Sequence, residues 1–394
     1  GIFIVWAYIA GEFIDTHIRG FKNESVIKGD KYKRLLYTGI LLVMSTGITP
    51  YGYDAILFPI KEFKGMYFID EWSPSIYKNT MLNFGVMPYF RLFLIISVFT
   101  FIFRVNFISS THIIIFASLL YLSLSGKRHI PFYGFAIAPC IIEYLKGLGS
   151  KKAPLYIKKI FIQIACAALV IYLALLSKDI FTGRYYVKKN MDCWVGLGRV
   201  GYPADAVDFI LRSGLKGNMF NDYGSGCLLI WGLYPSHKVF LDGRNTIYGV
   251  KFIKENYIRY LIFPPPFEKL VKKYDINYVF LYYGMSGTGE FVPYLYHSKD
   301  WVLVFFDDKV CIFAKNADKN ADIIKRYRVD LTKRRGVVRL NRYGWQSVYP
   351  RDYINRAAFY ERVGLPDMAI QTLKDVLMIA PDIRDVHYNL GTLY

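Results

Sequence analysis

Polar side chains that could bind a ligand follow two apolar runs near the middle of the chain. Asp222 and Tyr223 directly follow the first run, and the second, 238–242, ends at Asp242 and is followed by Arg244. We predict both runs as strands, and open α/β sheets place ligands beyond the carboxyl ends of their strands. Asp222, Tyr223, Asp242 and Arg244 are therefore predicted to contact an acceptor or substrate. The alternative is structural, with Asp222 capping a helix and Asp242 pairing with Arg244 inside a turn.

Two further groups of residues could do chemistry. Arg128 and His129 open an apolar run, and an arginine there suits a donor phosphate, although it could equally contact lipid headgroups. Asp70 and Glu71 are adjacent carboxylates that could hold a divalent metal ion or act as acid and base. The alternative for this pair is a solvated loop with Trp72 at an interface. The sequence assigns no catalytic residue and names no cofactor beyond this possible metal ion.

The composition indicates which elements would position these residues. Hydrophobic residues make up 54% of the 394 residues and aromatic residues 18%, which is typical of membrane proteins. Basic loops at 15–34 and 146–159 are predicted to be cytoplasmic, which places the residues after about 177 on the extracytoplasmic side. We therefore expect a multi-pass protein of the cytoplasmic (inner) membrane. Its apolar runs lie at about 35–49, 88–103, 106–125, 130–145 and 160–176.

The formal net charge of +19 raises the question of an anionic partner. Lysine and arginine cluster in loops beside the apolar runs and do not form one stripe with interleaved aromatic residues. Nucleic acid is therefore not an expected partner, whereas anionic membrane lipids are.

The predicted fold class is a multi-domain chain: a polytopic α-helical membrane region, an extracytoplasmic α/β domain with a mixed sheet, and a helical repeat. Both ends of the sequence lie inside apolar or helical patterns, so we expect it to be a piece of a longer protein. Within the α/β domain, 301–306 and 309–314 are predicted to pair as a hairpin. The boundaries are 1–182 for the transmembrane helices, 183–315 for the α/β domain, 316–350 for a basic linker and 351–394 for the repeat.

The last stretch carries the spacing of a tetratricopeptide repeat. Small or apolar residues fall where paired helices must touch, and a second set follows after the period of about 34 residues. Such helices commonly bind proteins, so protein partners are expected through this repeat. The first set is Ala357, Tyr360, Ala369, Leu373 and Pro381, and the second is Leu390, Gly391 and Tyr394.

Several of these motifs together resemble the later part of bacterial GT-C-type membrane glycosyltransferase-like proteins, many of which carry tetratricopeptide repeats. The motifs are Pro50-Tyr51-Gly52, Glu71-Trp72 and Arg128-His129-Ile130-Pro131, with Thr49 where the family usually has Asn. The soluble stretch resembles that of the oligosaccharyltransferase catalytic subunit. Asp222-Tyr223-Gly224 matches its Asp-Tyr-Gly, and Asp242, Asn245 and Thr246 resemble its downstream motif, whereas Phe220 and Asn221 replace its two tryptophans.

The resemblance implies a function. It would be transfer of a sugar from a polyprenyl-phosphate-linked donor at the outer face of the membrane, with a carboxylate activating the acceptor. In such enzymes that carboxylate lies in the first outside loop, which would precede residue 1 of this sequence. The alternative is a non-catalytic membrane scaffold whose repeats recruit partners for envelope or polysaccharide assembly.

Overall fold

The computed structural model describes residues 2–19, 29–52, 54, 57, 87–103, 105–146, 155–189, 203–284, 288–336 and 349–394. Contacts divide the chain into two compact units, Gly1–Phe161 and Ile162–Tyr394. The sequence placed its corresponding boundary at 182/183, about one helix later.

The described part of the first unit is helical. Short 3₁₀ turns at Val105–Phe107 and Lys127–His129 precede its fourth and fifth helices. Its core is an aromatic and aliphatic cluster that includes Phe101, Ile108 and Tyr133. The helices are α1 Ile2–His17, α2 Asp30–Gly47, α3 Met87–Phe103, α4 Ser110–Ser125 and α5 Ile130–Lys146, while α6, Leu155–Phe181, crosses the boundary between the units.

A buried carboxylate joins α1 to the start of α4. Asp15 accepts hydrogen bonds from the backbone nitrogen of Ser110 at 2.9 Å and from its hydroxyl at 2.5 Å. A side-chain oxygen at this place satisfies an N–H group that the first turn of the helix leaves without a partner. The two helices approach closely at Gly11, where a Cβ atom would overlap Thr111. Asp15 and Gly11 therefore both determine how α1 packs on α4.

Among the residues that the structure describes, no helix unites the length and the apolar character that a bilayer crossing requires. Helices α1 to α5 have 16 to 18 residues, fewer than the ~20 that span a hydrocarbon core. Helix α2 also begins with the charged residues Asp30, Lys31, Lys33 and Arg34. In α6, the side chains at 155–159, 161, 162 and 165 lie outside the described set.

The prediction of a polytopic membrane region at 1–182 is therefore wrong. The multi-pass location in the cytoplasmic membrane, and the extracytoplasmic placement of residues after about 177, are wrong for the same reason. Apolar composition alone was a misleading signal, because the runs at 35–49, 88–103, 106–125 and 130–145 fall in helices of only 16 to 18 residues.

The second unit contains a four-stranded sheet with helices around it. Its strands are β1 Asn218–Asn221, β2 Ile276–Tyr282, β3 Trp301–Phe306 and β4 Val310–Lys315. Its helices are α7 Arg184–Lys189, α8 Ala204–Ser213, α9 Gly226–Leu233, α10 Asn245–Ile253, α11 Arg259–Ile262, α12 Phe267–Tyr274, α13 Phe291–His297, α14 Ala321–Tyr327, α15 Arg351–Arg362, α16 Pro366–Ile379 and α17 Arg384–Leu393, with a π-helical turn at Lys254–Ile258.

The sheet is mixed, in the order β1-β2-β4-β3. Strand β1 is parallel to β2, whereas β4 is antiparallel to both of its neighbours. The predicted hairpin is present as β3 and β4. Strand β2 is buried on both faces up to Leu281, as expected for a central strand covered by helices.

The strand predicted at 238–242 is wrong, because this segment has no strand pairing. The side chain of Asn221 takes the place of a neighbouring strand. Its oxygen accepts from the backbone nitrogen of Phe240 at 2.8 Å, and its nitrogen donates to the carbonyl oxygen of Leu241 at 2.8 Å. One buried amide thus holds the segment beside β1.

A strap at 328–336 follows α14 in the region predicted as a linker. The backbone nitrogen of Val329 donates to the carbonyl oxygen of Leu303 on the edge strand β3 at 2.8 Å, and Leu331 is buried. Arg334 forms a salt bridge with Asp375 on α16 at 3.0 Å. The strap therefore joins the sheet to the last helices, while residues 337–348 lie outside the described set.

Helices α15, α16 and α17 occupy the stretch where the repeat spacing occurs. Ala357, Tyr360, Ala369 and Leu373 are all buried, as residues at helix contacts must be. The assignment of these helices to the tetratricopeptide family stays a prediction.

Helix α15 lies against the edge of the sheet where β2 ends and β4 begins. Arg356 pairs with Asp308 of the β3–β4 turn at 2.5 Å, and the ring of Phe359 packs against those of Tyr283 and Phe306. Gly284 allows this approach, since a Cβ atom there would overlap the Asn355 side chain. The carboxyl end of β2 is thus covered by the chain itself.

Candidate functional site

The structure brings Asp222, Tyr223, Asp242 and Arg244 together in the second unit. Besides its bonds to the 240–241 segment, the Asn221 amide donates to the carbonyl oxygen of Asp222 at 2.8 Å. Gly226, at the start of α9, lies so close to the other segment that a Cβ atom would be 2.6 Å from the Cα atom of Asp242. The two polar loops are therefore held side by side by one amide and one glycine.

Asp222 is buried, and its carboxylate accepts three hydrogen bonds from the chain. The donors are the backbone nitrogen of Ser225 at 2.9 Å, the Ser225 hydroxyl at 2.8 Å and the backbone nitrogen of Tyr282 at 2.9 Å. Burial raises the pKa of Asp222, and these hydrogen bonds lower it by less. The carboxylate therefore links β1, α9 and β2 inside the protein.

Asp242 is buried as well, but a cation compensates its charge. Arg244 donates to it from its backbone nitrogen at 2.9 Å, from Nε at 2.8 Å and from Nη2 at 2.7 Å. The Tyr248 hydroxyl adds a fourth bond at 2.6 Å. The hydrogen bonds from Arg244 hold the pKa of Asp242 well below its usual range, while burial and the bond to Asp242 raise the pKa of Tyr248 to about 12.

Tyr223 lies at the rim of this cluster. Its backbone nitrogen donates to the Tyr257 hydroxyl at 2.9 Å. Its own hydroxyl is hydrogen-bonded to the Asn245 side chain, and burial raises its pKa. The phenol is therefore neutral near pH 7 and acts as a hydrogen-bonding group.

This arrangement is suited to binding rather than to proton transfer. Each carboxylate already accepts three or more hydrogen bonds from the chain, so neither faces a place where a substrate proton would lie. Arg244 is different, because its side chain is 60% exposed while one edge is fixed by Asp242. The accessible chemistry of the cluster is thus that of a guanidinium group with phenol and amide neighbours.

The other predicted site residues lie elsewhere. Arg128 and His129 belong to the first unit, in the 3₁₀ turn that precedes α5. Burial, together with the adjacent Arg128, lowers the pKa of His129, which disfavours a positive charge on its imidazole. Asp70 and Glu71 lie outside the described residues.

No metal centre is found in the part of the chain that the structure describes. There, no group of three or more His, Cys, Asp or Glu side chains is placed to hold a metal ion. The possible metal at Asp70 and Glu71 falls outside this search.

Sequence reasoning missed two residues that organise the second unit. Asn221 was noted only as a departure from a motif, yet a polar residue ending an apolar strand beside an aspartate signals a buried hydrogen-bond junction. Arg356 is buried, and it lies about one 34-residue period before Leu390, where the repeat pattern has an apolar residue. A charge at an apolar position signals a specific partner, which is Asp308.

No family model, curated protein or solved structure matches this chain.

Proposed function

We propose that the second unit is a protein-interaction scaffold, in which helix α17 binds an amphipathic helix of a partner protein. The observation that carries the proposal is the exposed face of α17, whose residue pattern repeats that of α15. Tyr388 is 71% exposed, and outside the backbone of its own helix no heavy atom lies within 4 Å of the place a Cβ atom of Gly391 would occupy. A large aromatic surface beside a glycine leaves room for another helix to approach closely.

The internal period indicates what fits this face. Ala357 and Tyr360, about 34 residues before Gly391 and Tyr394, are 2% and 1% exposed. Helix α15, which carries them, packs against α16. Helix α16 turns Ala369, Leu373 and Val376 inward. The partner helix would contact α17 as α16 contacts α15. It would therefore carry the same pattern as Ala369, Leu373 and Val376, which is a small residue with apolar residues four and seven positions later.

The packing below the open face supports a scaffold role. Helix α15 is held on the sheet by the Arg356–Asp308 ion pair, and α16 by the Arg334–Asp375 pair from the strap. A surface that is already rigid loses less conformational entropy when a partner binds.

Sugar transfer, the first function predicted from the resemblance, lacks comparable support. The resemblance places the catalytic carboxylate before residue 1, and both carboxylates of the Asp222–Asp242 cluster accept their hydrogen bonds from the chain. No observation on the described residues therefore favours this reaction.

Site-specific photocrosslinking in cells that produce the protein tests the scaffold proposal. A photoreactive amino acid at position 388 should give one discrete adduct with another protein. The same amino acid at Lys299, an exposed position on the sheet domain, serves as the matched control and should give none.

A second pair of variants ties the adduct to the open face. Gly391→Glu should abolish the adduct, because it places a charge at the helix contact, whereas Gly391→Ala should retain it, since Ala357 is the equivalent residue. The proposal fails if position 388 gives no discrete adduct, if Lys299 gives the same one, or if the adduct is a second copy of this chain.

A further inference from the structure

Arg244 presents a guanidinium group to solvent in a fixed orientation. Its Nε and Nη2 atoms donate to the buried carboxylate of Asp242 at 2.8 and 2.7 Å, and its backbone nitrogen donates to the same group at 2.9 Å. An exposed arginine normally loses rotamer entropy when it is immobilised. Here the fold has already fixed the side chain, although 60% of it is exposed.

The opposite edge of the same guanidinium is directed away from Asp242. Nη1 takes part in none of the bonds to the carboxylate, and the neighbouring residue, Gly243, is exposed and carries no side chain. A planar guanidinium offers paired N–H groups that match the two oxygens of a carboxylate or phosphate group. The accessible edge therefore has the geometry and the charge of an oxyanion receptor.

The surroundings favour an anion over a cation or a neutral group. The nearby carboxylate, Asp242, is buried and saturated by Arg244 and Tyr248, so it does not face the open edge. The Tyr223 phenol, which is hydrogen-bonded to Asn245, the residue after Arg244, adds no negative charge. The net charge of +19 on the chain raises the local concentration of anions.

We propose that Arg244 binds a phosphate or carboxylate group of a ligand through its Nη1–Nη2 edge, with Asp242 and Tyr248 orienting the guanidinium from behind. The site is separate from the helix face of α17, so either proposal can fail without the other.

Titration with inorganic phosphate at constant ionic strength tests this site. Arginine side-chain NMR signals of the full chain would be followed, and those of Arg244 should shift saturably. Acetate should reverse the shift by competition. Calorimetric titration compares the phosphate affinities of the variants, and Arg244→Lys should weaken binding by about tenfold or more, because an ammonium group cannot form the paired contact.

The chain offers a matched control in Arg212, which lies 3.8 Å from Asp208 in a pair whose side chains are 83% and 58% exposed. This arginine is not fixed by a buried carboxylate, so Arg212→Gln should leave phosphate binding unchanged. Equal, non-saturating shifts at both arginines, or full binding by Arg244→Lys, would overturn the proposal, and a shift that acetate leaves in place would remove carboxylates from it.

Discussion

At the residue scale, two hydrogen bonds to the Asn221 side chain hold a segment that the sequence predicted as a strand. The strand was predicted at 238–242 from its apolar pattern, whereas the structure holds this segment beside β1 through the Asn221 side chain. Pattern alone does not tell a strand from an extended segment held by one side chain. The grouping of Tyr223, Asp242 and Arg244 was therefore predictable from the sequence, whereas the bonds that saturate the two carboxylates were not.

Replacing Asn221 with Ala should lower the free energy of unfolding by about 3 kcal/mol, because it leaves the part-buried N–H of Phe240 and the buried C=O of Leu241 without their partner. Urea unfolding of the chain measures this. Asn218→Ala is the matched control: its exposed side chain donates one bond to the carbonyl oxygen of Tyr274, so it should cost less than about 1 kcal/mol. Equal losses for the two variants would contradict the role assigned to Asn221.

The two carboxylates of the cluster should respond to pH in opposite directions. The pKa of Asp242 is lowered by Arg244, so its contribution to stability is present above the unfolded carboxyl pKa of about 4 and is lost as pH falls through the folded pKa. The pKa of Asp222 is raised by burial, so its contribution increases as pH falls from the folded pKa toward the unfolded value.

Urea unfolding at a series of pH values measures these two contributions. On acidification, the free energy of unfolding of the native chain should fall relative to that of Asp242→Asn. Over the same pH range it should rise relative to that of Asp222→Asn. Parallel trends for the two variants would contradict the opposite pKa directions.

At the scale of elements, the hairpin of β3 and β4 was predicted correctly because two apolar runs joined by the short Asp307-Asp308 turn act locally. The apolar runs near the start of the chain were located closely, since 88–103 and 130–145 coincide with α3 and α5 to within one residue. They misled because α1 to α5 have only 16 to 18 residues and α2 begins with charged residues. Composition locates such helices but does not show that they cross a bilayer.

Gly226→Ala tests the close contact between α9 and the 241–242 segment. The added methyl group would overlap the backbone oxygen of Leu241, and neither backbone can yield easily, so stability should fall by about 2 kcal/mol or more. Thermal unfolding measures the loss. The control, Gly391→Ala, adds its methyl group in open space and should raise stability by up to about 0.8 kcal/mol through helix propensity.

At the scale of the whole molecule, the chain forms two compact units, and the second contains both the sheet and the last helices. The sequence placed a basic linker between the sheet and these helices, because lysine and arginine are frequent there. Arg334 and Arg335 in fact contact Asp375 and the carbonyl oxygen of Phe306. A run of basic residues does not reveal from sequence alone whether its charges have specific partners.

The ion pair between Arg356 and Asp308 should show an asymmetric response to mutation. Asp308→Ala leaves a guanidinium that is only 2% exposed without its counter-ion, which should cost about 3 kcal/mol or more. Arg356→Leu leaves Asp308, which is 34% exposed and can be hydrated, so its cost should be within about 1 kcal/mol. Urea unfolding of both variants measures these two costs. Equal costs would contradict the expectation that an unpaired buried guanidinium is more costly than an unpaired, partly exposed carboxylate.

The charge on Arg356 also makes the contact surface of α15 different from that of α17. A helix with an apolar contact surface can be added beside α17, where Gly391 leaves space. It cannot displace the sheet from α15, because that exchange would enclose a guanidinium group among hydrocarbon side chains. The contact surfaces of α15 and α17 are therefore not interchangeable, and a single ionised residue makes the difference.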